Sequence, residues 1–412
     1  MSTIDQRNNK LWLTTAGFWL LIALYLVSFF SKAGVNFFAA LVYFITIYLI
    51  SSNDRNLFRR EPLLLLLLFP LGVGLLVSFF SGVGGWIGVA GYLDEFKFFF
   101  LPFAFSVLLR NKHRIEWLFL SALVSAAIIL VYGFSQEEQR VFGMFHGYFL
   151  YPDVRTSQMI MIVVIASIVF LDDQMFRERY PKIAVIIFLL VPALLFALYM
   201  GSIRSTWIGF VLAILCYTII FRPKWLVPII LFGIVIFYLN QESALSKELS
   251  SVLDFRGNIS NNTRLQLWST GLDFSDKNFI FGVGKTGIQQ QFLDFYNMQP
   301  YSYKETYSLV SNSIGNFHNS YLQILIEWGV LTIGAFILSG AMLTIRLIQA
   351  LKVVPQENLV YIRVFFVVSV AYVFSQFFHN EFISYSATLY FLLMYGAIYV
   401  TSRSGPEWIA KT

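Results

Sequence analysis

Long apolar runs separated by short polar segments make up most of this chain. A run of about 20 apolar residues has the length of a helix that crosses a lipid bilayer. We place such helices at residues 11–30, 34–52, 63–80, 94–109, 115–134, 156–171, 182–201, 205–221, 225–240, 319–345, 359–378 and 384–400. The pattern therefore predicts an all-α integral membrane protein with about twelve transmembrane helices.

The composition supports a membrane protein and excludes other classes. Of the 412 residues, 58% are hydrophobic and 13% are charged, whereas a soluble domain carries about 25% charged residues. A soluble enzyme and a disordered chain are therefore excluded. Cys216, the single cysteine, lies in an apolar run, which excludes a disulfide within one chain and a cysteine metal site.

The basic residues predict the orientation of the chain. The net charge is +6, and most of the 29 Lys and Arg residues lie between apolar runs, on the side of the two termini. Cytoplasmic loops carry an excess of Lys and Arg, so we expect both termini in the cytoplasm and no nucleic-acid partner. The polar segment Met1 to Lys10 precedes an apolar run that is too long for a signal peptide, and we expect a retained first span.

Two outer segments differ from the rest in composition. One covers residues 135–155, and the other covers residues 241–317 and is rich in Asn, Ser, Asp and aromatic residues. Long loops between helices are usually functional. We divide the chain into a membrane domain at 1–240 with nine spans, a periplasmic loop at 241–317, and a membrane domain at 318–412 with three spans. Short helices are expected in the loop at residues 262–272 and 287–296.

Charged residues beside a bilayer are costly, so those on the outer side are candidates for function. They are Lys97, Arg140, Arg155, Arg204, Arg264, His318, His379 and Glu381. Arg204 occupies a tight turn between two spans, where an arginine either anchors a helix end or serves the reaction. His318 stands where the long loop re-enters the bilayer, as a helix cap or as a proton acceptor. Glu327 lies inside a span, and we interpret it as part of a structural network.

Taken together, these residues resemble the bacterial O-antigen ligases, within the wider family of O-antigen ligases and polymerases. The resemblance is carried by four elements in order: Arg140-Val141-Phe142-Gly143-Met144-Phe145, Arg204 with Trp207, Arg264 to Trp268 followed by Phe279 to Gly284, and His318-Asn319 with Gly329 and Thr332. One departure is Ser205, which separates Arg204 from Thr206. The order of spans and the long outer loop extend the resemblance over most of the chain.

The resemblance implies a glycosyltransferase of lipopolysaccharide biosynthesis. It would transfer O-antigen polysaccharide from undecaprenyl diphosphate to lipid A-core at the periplasmic face of the bacterial inner membrane, without a metal or another cofactor. Carried over by position, His318 is the base, and Arg204 and Arg264 are the essential arginines. We expect five further residues to bind substrate: Arg140, Lys97, Asn319, Tyr321 and His146.

The chemistry of these residue types suits that reaction. A diphosphate leaving group develops negative charge, and the planar guanidinium of arginine matches phosphate oxygens. Arg204 and Arg264 would replace a divalent metal by electrostatic stabilisation. A histidine would take the proton of the acceptor hydroxyl, and a single displacement would invert the anomeric centre.

Three alternatives stay open. A polymerase of the same family would use the same donor, although the contiguous His-Asn signature and the single dominant outer loop favour a ligase. A polysaccharide lipid transporter would be expected to have internal repeats and broken helices in matching halves, and neither is visible in the sequence. His379-Asn380 repeats the His-Asn pair and rivals His318, but Leu389 stands where the pattern requires glycine.

Overall fold

The structure is a computed structural model that describes residues 3–53, 57–82, 84–109, 111–135, 154–200, 203–231, 259–312, 315–379 and 384–404. These residues form helices and turns, with no β-strand among them. The α-helices are α1 (Thr3–Val27), α2 (Lys32–Asn53), α3 (Leu57–Arg60), α4 (Leu65–Phe80), α5 (Gly85–Glu95), α6 (Leu101–Leu108), α7 (Lys112–Ser135), α8 (Val154–Asp172), α9 (Gln174–Arg179), α10 (Pro181–Met200), α11 (Arg204–Phe221), α12 (Ile259–Ser275), α13 (Ile288–Met298), α14 (Tyr301–Thr306), α15 (Ser320–Ala350), α16 (Leu359–Ser375) and α17 (Ala387–Arg403).

Eight helical segments in the described residues are long and apolar enough to cross a membrane. They are Asn9–Val27, Lys32–Ser51, Pro62–Phe80, Lys112–Tyr132, Arg155–Asp172, Pro181–Leu198, Ser320–Ala350 and Gln356–Phe378. Each of them coincides with a span predicted from the sequence. The protein is therefore a multi-pass, all-helical membrane protein, as predicted.

The four remaining predicted spans differ from this set. Ser205–Phe221 is apolar but shorter, α17 has 17 residues, and most of 225–240 lies outside the described residues. For the predicted span at 94–109, the structure has the shorter apolar helix Lys97–Leu108, which opens with a 3-10 turn at Lys97–Phe100 and continues as α6. Pro102 in its first turn explains where α6 starts, since proline suits the first turn of a helix and disrupts its interior.

Helix α8 lies at the centre of the bundle beside the functional region. Its residues from Met159 to Ala166 are all buried, and α16 packs against α8, α11 and α17. Because successive helices run in opposite directions, the starts of α8, α11 and α17 lie at the same end of the bundle as the last turn of α16. Several of the predicted functional residues belong to this end.

The long loop contributes a second, smaller apolar cluster. Leu267 and Phe274 of α12 pack with Phe292 of α13. Phe317, which precedes α15, and Ile326 of α15 belong to the same cluster. The two short helices expected at 262–272 and 287–296 are confirmed, because they lie within α12 and α13 apart from Gly287, which precedes α13. Ile326 belongs to the first half of α15, so the cluster joins the loop to that helix.

Helix α15 is broken at Gly329, where the backbone has φ 69° and ψ 173°. The break frees carbonyls of the first half of α15, and a segment of the long loop uses them. The N–H of Val283 donates to the carbonyl of Ile326 at 2.8 Å, and the N–H of Gly284 donates to that of Glu327 at 2.9 Å. In return, the N–H of Val330 donates to the carbonyl of Phe279 at 2.8 Å. The loop and the broken helix therefore interlock through their backbones.

Glycine is required where these two backbones meet. A Cβ at Gly329 would lie 2.0 Å from the carbonyl oxygen of Ile280, and a Cβ at Gly282 would lie 2.4 Å from the carbonyl oxygen of Glu327. Both glycines also have positive φ, which side chains other than glycine rarely adopt. The fold thus explains why the two sequence motifs have glycine at these positions.

Candidate functional site

His318 stands directly before Asn319, the cap of α15, in a strained backbone conformation. Its φ of 49° is the only positive φ of a non-glycine residue in the described part of the chain. Its N–H donates to the side-chain oxygen of Asn316 at 3.1 Å, and the side chain is partly buried. Backbone strain of this kind concentrates at functional sites, and the role of His318 as the base stays a prediction.

Asn319 is the N-cap of α15. Its side-chain oxygen accepts hydrogen bonds from the N–H groups of Tyr321 at 3.0 Å and Leu322 at 3.1 Å, which satisfies two donors at the start of the helix. The Tyr321 hydroxyl donates to the carbonyl of Val373 in α16 at 2.8 Å. Both residues therefore hold α15 in place, and their predicted role in substrate binding stays a prediction.

Arg264 reaches the same end of the bundle from α12. Its guanidinium lies over the ring of Phe378, 6.0 Å from the ring centre. One turn further, the indole N–H of Trp268 donates to the carbonyl of Phe317 at 3.0 Å, directly ahead of His318. Helix α12 thus brings Arg264 and His318 together, as the sequence motifs predict.

The surroundings keep the nearby imidazoles neutral. Burial lowers the pKa of His318, and the positive charge of Arg264 lowers it further. Burial also lowers the pKa of His379 to about 3, with further contributions from Arg264 and His318. A neutral imidazole can accept a proton, so His318, the more exposed of the two, has the protonation state that a base requires.

His379 connects this region to the turn that carries Arg204. It is buried, and its Nε2 forms a hydrogen bond with the hydroxyl of Ser205. Ser205 follows Arg204, which is the first residue of α11. The side chain of Arg204 lies outside the described part of the structure, but its backbone stands one residue from the contact with His379.

Lys97 belongs to a different group of charges. Its Nζ lies 2.9 Å from Asp94 Oδ1, and Lys285 pairs with Glu95 and lies 3.5 Å from Asp94 Oδ2. The contacts described for Lys97 include neither His318 nor Arg264, so its role in substrate binding stays a prediction.

Glu327 is buried in the first half of α15. Its carboxylate accepts a hydrogen bond from the side-chain amide of Gln323, in agreement with a structural network. It lies roughly 13 Å along the helix from His318, at about 1.5 Å per residue. This distance separates Glu327 from the region of His318 and Arg264.

Three predicted residues cannot be assigned to the site from the structure. Arg140, His146 and Glu381 lie outside the described residues. Among the residues that are described, no group of three or more His, Cys, Asp or Glu side chains could hold a metal ion.

Sequence reasoning missed the hydroxyl and amide groups that join the charged residues. The hydroxyl of Ser320 donates to the side-chain oxygen of Gln376 at 2.9 Å and also contacts the carbonyl of His379. Ser205 appeared in the sequence only as a departure from the family pattern. Their positions in the sequence could have identified these serines. Ser205 and Ser320 each lie within two residues of a candidate site residue and within the first turn of a helix.

The chain is thus a multi-pass helical membrane protein that gathers an arginine and a neutral histidine at one end of its helix bundle. Residues 189–337 match the model of the O-antigen ligase family. Over these residues the chain is similar to a family whose members are glycosyl-transfer enzymes. The matched region includes Arg204, Arg264 and His318, and the resemblance identified from the sequence is confirmed. A comparison with curated proteins gave no match.

Proposed function

We propose that the protein transfers O-antigen polysaccharide from undecaprenyl diphosphate to a sugar hydroxyl of lipid A-core, at the periplasmic face of the bacterial inner membrane. The family match supports glycosyl transfer from a lipid-linked glycan. The observation that carries the proposal is the meeting of Arg264 with a strained, neutral His318 at the end of membrane-spanning helices. A lipid diphosphate would present its charged group at this end of the helices, while its tail stays in the bilayer.

In the proposed reaction, the hydroxyl oxygen of the acceptor attacks the anomeric carbon of the donor sugar. The bond between that carbon and the diphosphate oxygen breaks, and the hydroxyl proton passes to the imidazole of His318. Arg264 and Arg204 stabilise the negative charge that develops on the departing diphosphate. The displacement occurs in one step and inverts the anomeric centre. No covalent intermediate with the protein is required.

The proposed topology has about twelve spans, cytoplasmic termini and a periplasmic site. Basic residues at the opposite end of the bundle support this orientation. Lys112 at the start of α7 lies 3.5 Å from Glu357, and Arg363 near the start of α16 lies 3.9 Å from Asp173. The end of α16 faces His318, so these pairs lie at the other membrane surface, where cytoplasmic basic residues are expected.

The experiment that tests the function uses purified protein in detergent with an undecaprenyl-diphosphate glycan, lipid A-core and EDTA. Wild type is compared with His318→Ala and Arg264→Ala, and Lys304→Ala removes another cation of the same loop as a control. We expect transfer by wild type and Lys304→Ala, and a loss of at least about 100-fold in the other two variants. EDTA should leave the wild-type rate unchanged.

Other outcomes would assign the protein differently. Elongation of the donor glycan without lipid A-core would identify a polymerase that uses the same donor. Movement of the lipid-linked glycan across vesicles, without any transfer, would identify a transporter and refute the proposal. Full activity of His318→Ala would refute its role as the base.

A further inference from the structure

Two consecutive residues, Phe378 and His379, contact all three segments that carry the proposed catalytic residues. The guanidinium of Arg264 lies over the ring of Phe378. The Nε2 of His379 bonds the hydroxyl of Ser205, next to Arg204. The carbonyl of His379 accepts from the hydroxyl of Ser320, two residues after His318.

The segment around His379 is itself held by a buried network of uncharged polar groups. The hydroxyl oxygen of Ser320 also lies 2.9 Å from the side-chain oxygen of Gln376, so the single hydroxyl proton of Ser320 lies between two acceptors. Behind it, the amide of Gln158 in α8 donates to the hydroxyl of Ser375 at 3.3 Å and accepts from Ser386 at 3.2 Å. Satisfied polar networks in a low-dielectric interior fix one arrangement of the groups they join. The network therefore gives His379 a defined position between α8, α15, α16 and α17.

The chemical state of His379 argues against proton transfer by this residue. It is 6% exposed, and among the described residues the charged or titratable groups that act on it are Arg264 on α12 and His318 ahead of α15. A buried imidazole beside an arginine stays neutral, with one ring nitrogen as a donor and the other as an acceptor. A neutral imidazole of this kind is suited to holding a serine hydroxyl in a fixed orientation.

We propose that His379 is a positioning residue, which fixes the starts of α11 and α15 relative to each other so that Arg204 and His318 act on the same substrate. The inference rests on the proposed function, because it assigns these two residues to one reaction. His379 itself touches neither donor nor acceptor in this proposal. It acts through Ser205 and Ser320, while Phe378 supports the guanidinium of Arg264.

The kinetic test compares wild type with His379→Ala, His379→Gln and Ser205→Ala. Since a displacement of about 1 Å in a catalytic group reduces turnover roughly 100-fold, we expect kcat of His379→Ala to fall about 100-fold, while KM changes by less than about threefold. The side-chain nitrogen of glutamine can replace Nε2, so His379→Gln should recover at least about tenfold of that loss. The double variant of Ser205→Ala and His379→Ala should be no slower than His379→Ala alone.

The pH profile separates positioning from catalysis by His379. If His379 only positions, the acidic limb of kcat/KM in His379→Gln matches that of wild type, because the titrating base is unchanged. A shifted or missing limb in His379→Gln would show that His379 exchanges a proton and would overturn the inference. Equal inactivity of the Gln and Ala variants, with both proteins folded, would overturn it as well.

Hydrogen exchange measured by mass spectrometry tests the coupling without any substrate. In His379→Ala, amides at the starts of α11 and α15 should exchange faster, while those of α13 stay unchanged. If the change is confined to residues beside position 379, the inference fails even when wild type transfers glycan. If both helix starts respond but wild type transfers nothing, the coupling stands and the proposed function fails. Faster exchange throughout α13 would mark a misfolded variant. In that case the same comparison of exchange at the starts of α11 and α15 is made with His379→Gln.

Discussion

Replacement of Gly329 by alanine gives the sharpest test of the interlocked backbones. At φ 69° and ψ 173°, a non-glycine residue costs about 1–3 kcal/mol. The added Cβ would also lie 2.0 Å from the carbonyl oxygen of Ile280, which belongs to the backbone and has no rotamer to change. The loop must therefore move away from the helix.

The size of the effect follows from what that movement breaks. The three backbone hydrogen bonds between the loop and α15 contribute about 0.5–1.5 kcal/mol each. Together with the conformational cost, Gly329→Ala should lose about 3 to 7 kcal/mol of unfolding free energy. Because the first half of α15 carries His318 at its start, glycan transfer should be lost as well.

Gly340→Ala, in the same helix, is the matched control. A Cβ at Gly340 meets no heavy atom within 4 Å, and alanine in a helix interior is more stable than glycine by about 0.5–1 kcal/mol. Unfolding of both variants in mixed micelles, followed by intrinsic fluorescence, measures the difference. If the two variants agree within about 1 kcal/mol, well below the predicted difference of at least about 3 kcal/mol, the interlock does not contribute to stability.

Three further predictions concern the start of α15. His318→Gly should unfold at a higher denaturant concentration than His318→Ala, since glycine relieves the positive φ, although both should lack transfer; equal midpoints would show that the turn is unstrained. Asn319→Ala should lose about 0.5–2 kcal/mol of unfolding free energy as the cap is removed, and an unchanged midpoint would contradict the capping role. Because burial and Arg264 lower the pKa of His318, the acidic limb of kcat/KM should lie below pH 6.5. In Arg264→Gln the residual activity should show this limb at higher pH, and an unmoved limb would mean that the two side chains do not interact.

The sequence predicted the class of fold well because bilayer length is a strong constraint. Each of the eight candidate spans coincided with an apolar run, and periodic polarity located the short helices of the loop. The sequence did not predict α5 or the 3-10 turn at Lys97–Phe100 that follows it, since apolar composition does not show where a helix is interrupted. The break at Gly329 escaped for a similar reason: an isolated glycine inside an apolar helix is usually tolerated.

The site was predicted in part for a comparable physical reason. Arg264 and His318 stood out because charges beside a bilayer are costly. His379 was identified as a rival base, and its burial and its contact with Ser205 are the observations behind the positioning role that we propose. Burial depends on which helix ends meet in space, and Ser205 and His379 are separated by 174 residues. A single sequence contains no direct record of that proximity.

The exchange of backbone hydrogen bonds between the loop and α15 has a consequence for protein engineering. The segment that begins at α12 cannot be transplanted between homologous enzymes as a loop that ends at residue 317. The N–H groups in its 279–284 stretch donate hydrogen bonds to carbonyls of the broken helix, which such a loop would leave behind. A graft cut before His318 would leave polar groups without partners on both sides of the junction. The smallest transferable module runs from Ile259 to Val330, because the N–H of Val330 makes the third of these bonds, and chimeras that respect this boundary would move the loop together with its support.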